Sequence, residues 1–277
     1  MTRTFSNGDV IKANYDNTDI IEPFTSRVGS IERYGSTWTY DYTEYQGPPP
    51  DPVVVTSTTV TAPSGTKQKF NFHGYGIHEG MHGSVNLIPA GGGATLTTGY
   101  GYTSGRLTAV NYPEGNRTEI IRDTWGRAEE IHQIAKPGSA LPDMVVSYTY
   151  DACTTANRKY CASPRTYTDE RGKVTRYTYS STHGGVTEVQ LPYVSGVGYH
   201  KTSTEYGQFH AWYRTSSSPT QIKDNRAVWR KTKEISCVVP AESVVCLDGG
   251  ADVKVSEYYY EQGNASTPSN INLIQVV

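Results

Sequence analysis

Four stretches of the chain place their marked residues at the same distance from a glycine. In YGSTWTYDY, Gly35 is followed by Tyr40 and Tyr42, and in SGTKQKFNF, Gly65 is followed by Phe70 and Phe72. In RGKVTRYTY, Gly172 precedes Tyr177 and Tyr179, and in EGNRTEIIR, Gly115 precedes Ile120 and Arg122. Residues two apart point to one face of a strand. The pattern therefore predicts a glycine turn followed by a strand with two large side chains on one side. The segments before these glycines, RVGSIERY, STTVTAPS, RLTAVNYPE and SPRTYTDER, also read as strands, so each unit predicts a β-hairpin. Gly105-Arg106 returns as Gly126-Arg127 after 21 residues, about two strands with their turns. Each Gly-Arg pair thus predicts a turn where one hairpin hands over to the next. Further strands are predicted at MVVSYTY, AVWRKTKEIS and VKVSEYYYE. The fold expected is all-β, a meandering antiparallel strip of β-hairpins, with a glycine-punctuated β-sandwich as the alternative.

Two segments interrupt the pattern. QGPPPDPVV, residues 46–54, is expected to stay out of any ladder because proline donates no backbone hydrogen bond. PAGGGA, residues 89–94, is the stretch freest in backbone conformation. Neither separates regions of different composition, so both read as insertions in a single architecture over residues 1–277. Composition sharpens the strand reading. Against 5 Phe and 4 Trp stand 22 Tyr, a ring with a polar tip that suits half-buried sheet surfaces better than dry cores. The net charge of -2 is scattered, with no basic stripe for nucleic acid and no apolar run long enough for a membrane span. The first residues carry no signal-peptide pattern.

The phrases GRLTAVNYPEGNRTEIIRDTWGR and RTYTDERGKVTRYTY, with Tyr40-Asp41 and Tyr150-Asp151, resemble the rearrangement-hotspot (RHS) or YD-repeat family. The resemblance covers Ser26–Tyr42 and Tyr100–Pro192, and Thr59–Phe72 more loosely. It departs at Arg122-Asp123, where the family has Tyr-Asp, and in the irregular spacing between units. The family includes bacterial polymorphic toxins, the C component of insecticidal toxin complexes and teneurins. The resemblance implies a β-strip that spirals into a hollow shell, enclosing a toxin or presenting an adhesive surface without doing chemistry. It implies as partners other repeat segments, or a toxin payload on a longer or neighbouring chain, and a secreted or cell-surface location. No cofactor is implied. The chain begins within repeat-like sequence and ends in SNINLIQVV, which reads as mid-strand, so a fragment of a longer polypeptide is expected.

Several constellations invite chemistry. His78-Glu79-Gly80-Met81-His82 has the HExxH spacing of zinc peptidases, which needs a helix to bring both imidazoles to one face. Gly74, Gly76, Gly80 and Gly83 oppose a helix there, and no third histidine follows; Glu114 or Glu119 would have to complete a site. The expectation is a polar loop and no enzyme. The cysteines form two close pairs, Cys153/Cys161 and Cys237/Cys246. ISCVVPAESVVCLD is nearly mirror-symmetric about PAES, and a hairpin there would oppose Cys237 and Cys246 at disulfide distance. Disulfides are the preferred reading, with free thiols and a four-cysteine zinc site as alternatives. Disulfides would favour an oxidising compartment. Ser64-Gly65-Thr66-Lys67 has the SxxK form but reads as a turn, and His132, His183, His200 and His210 are isolated along the chain. Trp38, Trp212 and Trp229 would stack on sugars if the protein were a carbohydrate- or protein-binding surface domain; packing between hairpins is the preferred reading.

Overall fold

A computed structural model describes residues 2–4, 10–16, 27–46, 53–73, 80–216, 220–246, 248–249 and 252–277. All its regular elements are strands. They fall into two compact units, residues 1–144 and 145–277.

In the first unit the strands are β1 (Thr2–Thr4), β2 (Val10–Asp16), β3 (Arg27–Arg33), β4 (Ser36–Gln46), β5 (Val53–Thr61) and β6 (Lys67–Phe72). They continue as β7 (His82–Ile88), β8 (Leu96–Thr103), β9 (Arg106–Asn111), β10 (Arg117–Arg122) and β11 (Ala128–Ile134). Each pairs antiparallel with the strand before it, an uninterrupted meander. The second unit holds β12 (Met144–Thr149), β13 (Thr166–Thr168), β14 (Val174–Tyr179), β15 (Val186–Gln190) and β16 (Tyr199–Phe209). A small side ribbon, β17 (Trp212–Tyr213) with β18 (Ile222–Lys223), follows. The meander then resumes with β19 (Val228–Val239), β20 (Lys254–Tyr260) and β21 (Leu273–Val276). Among the described residues neither unit's first and last strands pair, so neither sheet closes on itself. The expected strip of hairpins is the observed fold.

Two turn designs make the hairpins. In the two-residue turns Tyr34-Gly35 and Ser104-Gly105, both members have positive φ, at 52°, 70°, 49° and 74°. Such turns match the right-handed twist of the strands they join. The other design is a three-residue loop ending in glycine. Its opening residue donates its amide to the carbonyl four residues on and accepts from the glycine amide. Ala62/Gly65, Tyr112/Gly115, Asp123/Gly126 and Asp169/Gly172 all follow it. Gly126 has φ +80°, and the Arg106 guanidinium lies where a Cβ would stand.

Two expectations need correcting in their detail. Residues 46–54 are not wholly outside the ladder, because Gln46 pairs with Val53 and Tyr45 with Val54, closing the β4–β5 hairpin. The proline run itself, residues 47–52, lies outside the described residues. The PAES hairpin does not form. Residues 244–246 make no strand, and Val244 donates to Ala241 in a tight return. β19 runs along β16 and β20 instead, with Cys237 opposite Lys201. The loop is held over the sheet by the Cys237–Cys246 disulfide and by Lys201 Nζ, which donates to the Glu242 carbonyl.

The buried apolar side chains gather in the second unit, where Ile235, Cys237, Val239 and Cys246 pack with Tyr199, Val253 and Val255. Elsewhere most strand residues are half-buried, as a tyrosine-rich sheet requires. Gly172 has φ +73° and nothing within 4 Å of a Cβ, so substitution there tests the backbone alone. Gly172→Ala should cost about 1–2 kcal/mol in urea denaturation, the left-handed penalty of an L-residue, and Gly172→Asn less.

Candidate functional site: the strand-end clasp

The polar ends of large side chains do one repeated job in this protein. Tyr42 Oη donates to the Val28 carbonyl at 3.0 Å, Tyr179 Oη to Pro164 at 2.7 Å, and Tyr206 Oη to Val186 at 2.9 Å. Arg122 donates through Nε and Nη2 to the Leu107 carbonyl at 3.1 and 2.9 Å. The register is the same in all four. The last ladder pairs between each strand and the one before it are Ser30–Thr39, Ala109–Glu119, Thr166–Arg176 and Glu188–Ser203. The donor lies three residues beyond its own member of the pair. The acceptor lies two residues before the partner's member.

A bulge lies at or beside each donor. The pairing of β10, β14 and β16 with the next strand shifts at Ile121/Arg122, Thr178/Tyr179 and Glu205/Tyr206, and that of β4 at Thr43/Glu44. A bulge bends a strand and re-aims its side chains. The bent strand stays with its next neighbour and leaves the previous one, stranding a half-buried carbonyl. A backbone acceptor in that position needs a partner, and a long side chain with a polar tip supplies it. Burial pushes the hydroxyls of Tyr42, Tyr179 and Tyr206 above the ordinary tyrosine range, so they remain protonated donors.

Arg122 thus makes with a guanidinium the contact that the three tyrosines make with a hydroxyl. A guanidinium can also fork: Arg122 Nη1 reaches the Gly126 carbonyl at 3.0 Å, and Arg106 Nη1 meets the same oxygen at 3.2 Å. The arginine of the first Gly-Arg pair therefore binds the glycine of the second. Asp123 closes the turn from inside. Its Oδ1 accepts from the amides of Trp125 and Arg127, both at 2.9 Å, and its Oδ2 from Arg127 Nε at 2.5 Å. Asp169 repeats the backbone part, accepting from Arg171 and Lys173 at 3.0 and 2.7 Å. Burial alone would raise the Asp123 carboxyl; the Arg127 bonds and charge, with the Trp125 amide, outweigh it and hold it below the usual range.

The other marked residues fall as follows. Gly35, Gly65, Gly115 and Gly172 occupy turns at positive φ. Tyr40 and Tyr177 are half-buried two residues before the clasps. Phe72 has no hydroxyl, and its ladder with β5 runs on to Ser57–Asn71, leaving no carbonyl to cap. Its ring and that of Phe70 meet His82 edge-on, at centroid distances of 5.0 and 5.8 Å. His82 therefore sits in a strand among aromatic rings, after a turn in which Gly80 has φ +73°. This contradicts the helix that zinc-peptidase chemistry needs; His78 and Glu79 lie outside the described residues. Among the described residues no three metal-ligating side chains come together.

Cys153 is bonded to Cys161 and Cys237 to Cys246, with Cα separations of 5.2 and 5.7 Å. Glu119 pairs with Arg117 and His132 with Glu130, while His210 Nδ1 meets the Asp224 carbonyl. His183 stacks on Trp229, which is half-buried, and meets the Tyr206 ring at a tilt. Ser64 and Gly65 belong to a hairpin loop. The clasp acceptors and the Asp123 and Asp169 turn bonds were not anticipated from sequence. The recurring three-residue loop ending in Gly, twice opened by Asp, was the signal available for the turns.

The chain matches no family model and no curated protein. It is similar to solved structures at low identity. Against the crystal structure of TcdB2-TccC3 the TM-score is 0.31 at 10% identity, covering 94% of this chain and 19% of that one. Against TcdB2-TccC3 without its hypervariable C-terminal region the TM-score is 0.27 at 10% identity, covering 96% and 19%. The chain thus spans about a fifth of the length of those chains.

Two predictions follow from the clasp. Tyr42→Phe, Tyr179→Phe and Tyr206→Phe should each lose about 1 kcal/mol, and Arg122→Met up to about 3 kcal/mol because its bonds are charged. Urea denaturation checks this, with Tyr177→Phe as the control. The depressed Asp123 carboxyl contributes stability that is present above the ordinary carboxylate value of 3.8 and is lost as pH falls through its folded value. Asp123→Asn should therefore lower the thermal midpoint at pH 7, and the gap from wild type should close as the pH drops below 3.8.

Proposed function

We propose that this chain is a non-enzymatic structural module of the RHS or YD-repeat type, a length of β wall that contributes to enclosing a toxin, to its secretion or to cell-surface contact. The observation that carries the reading is the repeated clasp, in which one register offset recurs in four separate hairpins. A catalytic fold concentrates its polar side chains at one site, whereas here they are spent along the meander on the backbone itself. In one of the four hairpins, Arg122 makes the clasp and Asp123 opens the next turn. Two disulfides suit a secreted or surface location. Other repeat segments and a payload on the same or a neighbouring polypeptide are the partners this reading requires.

The test is protease protection. The natural polypeptide carrying this sequence is purified with the product of the adjacent reading frame and treated with trypsin. The expected result is that the adjacent product survives in the assembly and is degraded when free. Degradation at the free rate in both, or saturable binding of a defined glycan by this chain, would replace enclosure with a surface-binding role. Stoichiometric zinc with peptide hydrolysis lost in His82→Ala would make it an enzyme.

A further inference from the structure

The second unit buries a lysine beneath a loop that a disulfide holds down. Lys201 is 3% exposed. It stands opposite Gln190 on one side and Cys237 on the other, and directly opposed residues share a face of the sheet. Its ammonium therefore lies on the face that carries Ile235, Cys237 and Val239. Two acceptors meet it there: the Glu188 carboxylate at 3.5 Å and the main-chain carbonyl of Glu242. Glu242 belongs to the return that leaves β19 after Val239 and is tied back to the same strand at Cys246. Its carboxylate faces Arg176 at 3.6 Å and bonds the Tyr199 hydroxyl.

We propose that Cys237–Cys246 is a redox latch whose substrate is a thiol or dithiol reductant, and that its reduction lifts residues 240–246 away from Lys201 and uncovers this face. A reductant thiolate attacks one sulfur to give a mixed disulfide, and a second thiol displaces it. Two reductant thiols become one disulfide, two electrons and two protons pass to the protein, and Cys237 and Cys246 end as thiols. The coupling comes from the lysine. With the loop lifted, the lysine loses one of its two acceptors and is left to Glu188, which destabilises β16 around residue 201. Cys237 and Cys246 are 8% and 4% exposed, so attack follows a transient lifting of the loop. Cys153 in the other disulfide is only half-buried and holds a different loop.

Hydrogen exchange on the full chain tests this, comparing wild type, wild type in dithiothreitol and Cys237→Ser/Cys246→Ser. Amides of residues 199–203 and 240–246 should exchange about tenfold faster or more once the bond is lost, the effect of losing a charged hydrogen bond, while in Cys237→Ser/Cys246→Ser, which keeps Cys153–Cys161, β13 and β14 stay unchanged. Lys201→Met in both backgrounds should shrink that acceleration at residues 199–203. Unchanged exchange at 240–246, or uniform acceleration from β12 to β21, would overturn the latch. An equal effect with and without the Lys201 ammonium would overturn its coupling to the lysine.

Discussion

A backbone carbonyl stranded where a bent strand leaves its neighbour is the constraint on which this fold turns. A long meander of twisted strands cannot keep every ladder in register, and bulges absorb the mismatch. At the four clasps the bulged strand follows its next partner and leaves the previous one. In water a freed carbonyl costs little; half-buried in a sheet it needs a donor. The four clasps answer that need with the same geometry, three residues out on one strand and two on the other. A chain with 22 tyrosines and 5 phenylalanines follows naturally, since only the ring with a hydroxyl both covers the sheet and reaches the carbonyl.

Glycine and clasp are the two ends of one unit. The turn sets the register at one end of the hairpin, and the clasp terminates it at the other. Gly35 to Tyr42, Gly115 to Arg122 and Gly172 to Tyr179 each span seven residues because the last pair with the previous strand falls four residues after the glycine and the donor three beyond it. Tyr206 has no glycine seven residues before it, yet it makes the same contact. The strand ending, more than the turn, is therefore the conserved geometry of this chain. The first Gly-Arg pair binds the second for a related reason: Gly126 has no side chain to keep Arg106 away from its carbonyl.

The hairpins were legible because turn chemistry and strand alternation are local, and the glycine-to-ring spacing stood in the open sequence. The acceptors were not. Val28, Leu107, Pro164 and Val186 contribute only their main chain, so no residue type announces them. Arg122 looked like a break in the repeat for the same reason, since residue identity conceals that a guanidinium and a phenol can meet one oxygen. The PAES segment misled in the opposite direction. Its mirror symmetry satisfies every local rule for a hairpin, and a lysine some 40 residues earlier, out of view of any local rule, helps the disulfide hold the loop over the sheet instead.

That contrast bears on how the second unit holds together. Its buried apolar group is small, and it shares a face with a lysine, a glutamine and a disulfide. A core of this kind cannot draw its specificity from apolar volume alone. A buried ammonium accepts few arrangements, and each that satisfies it fixes where Glu188 and the Glu242 carbonyl must be. The disulfide then restricts how far the loop can stray in search of another. The same economy runs along the whole meander: hydroxyls and guanidiniums at strand ends, and an ammonium under a loop, fix positions that a larger hydrophobic core would fix by packing.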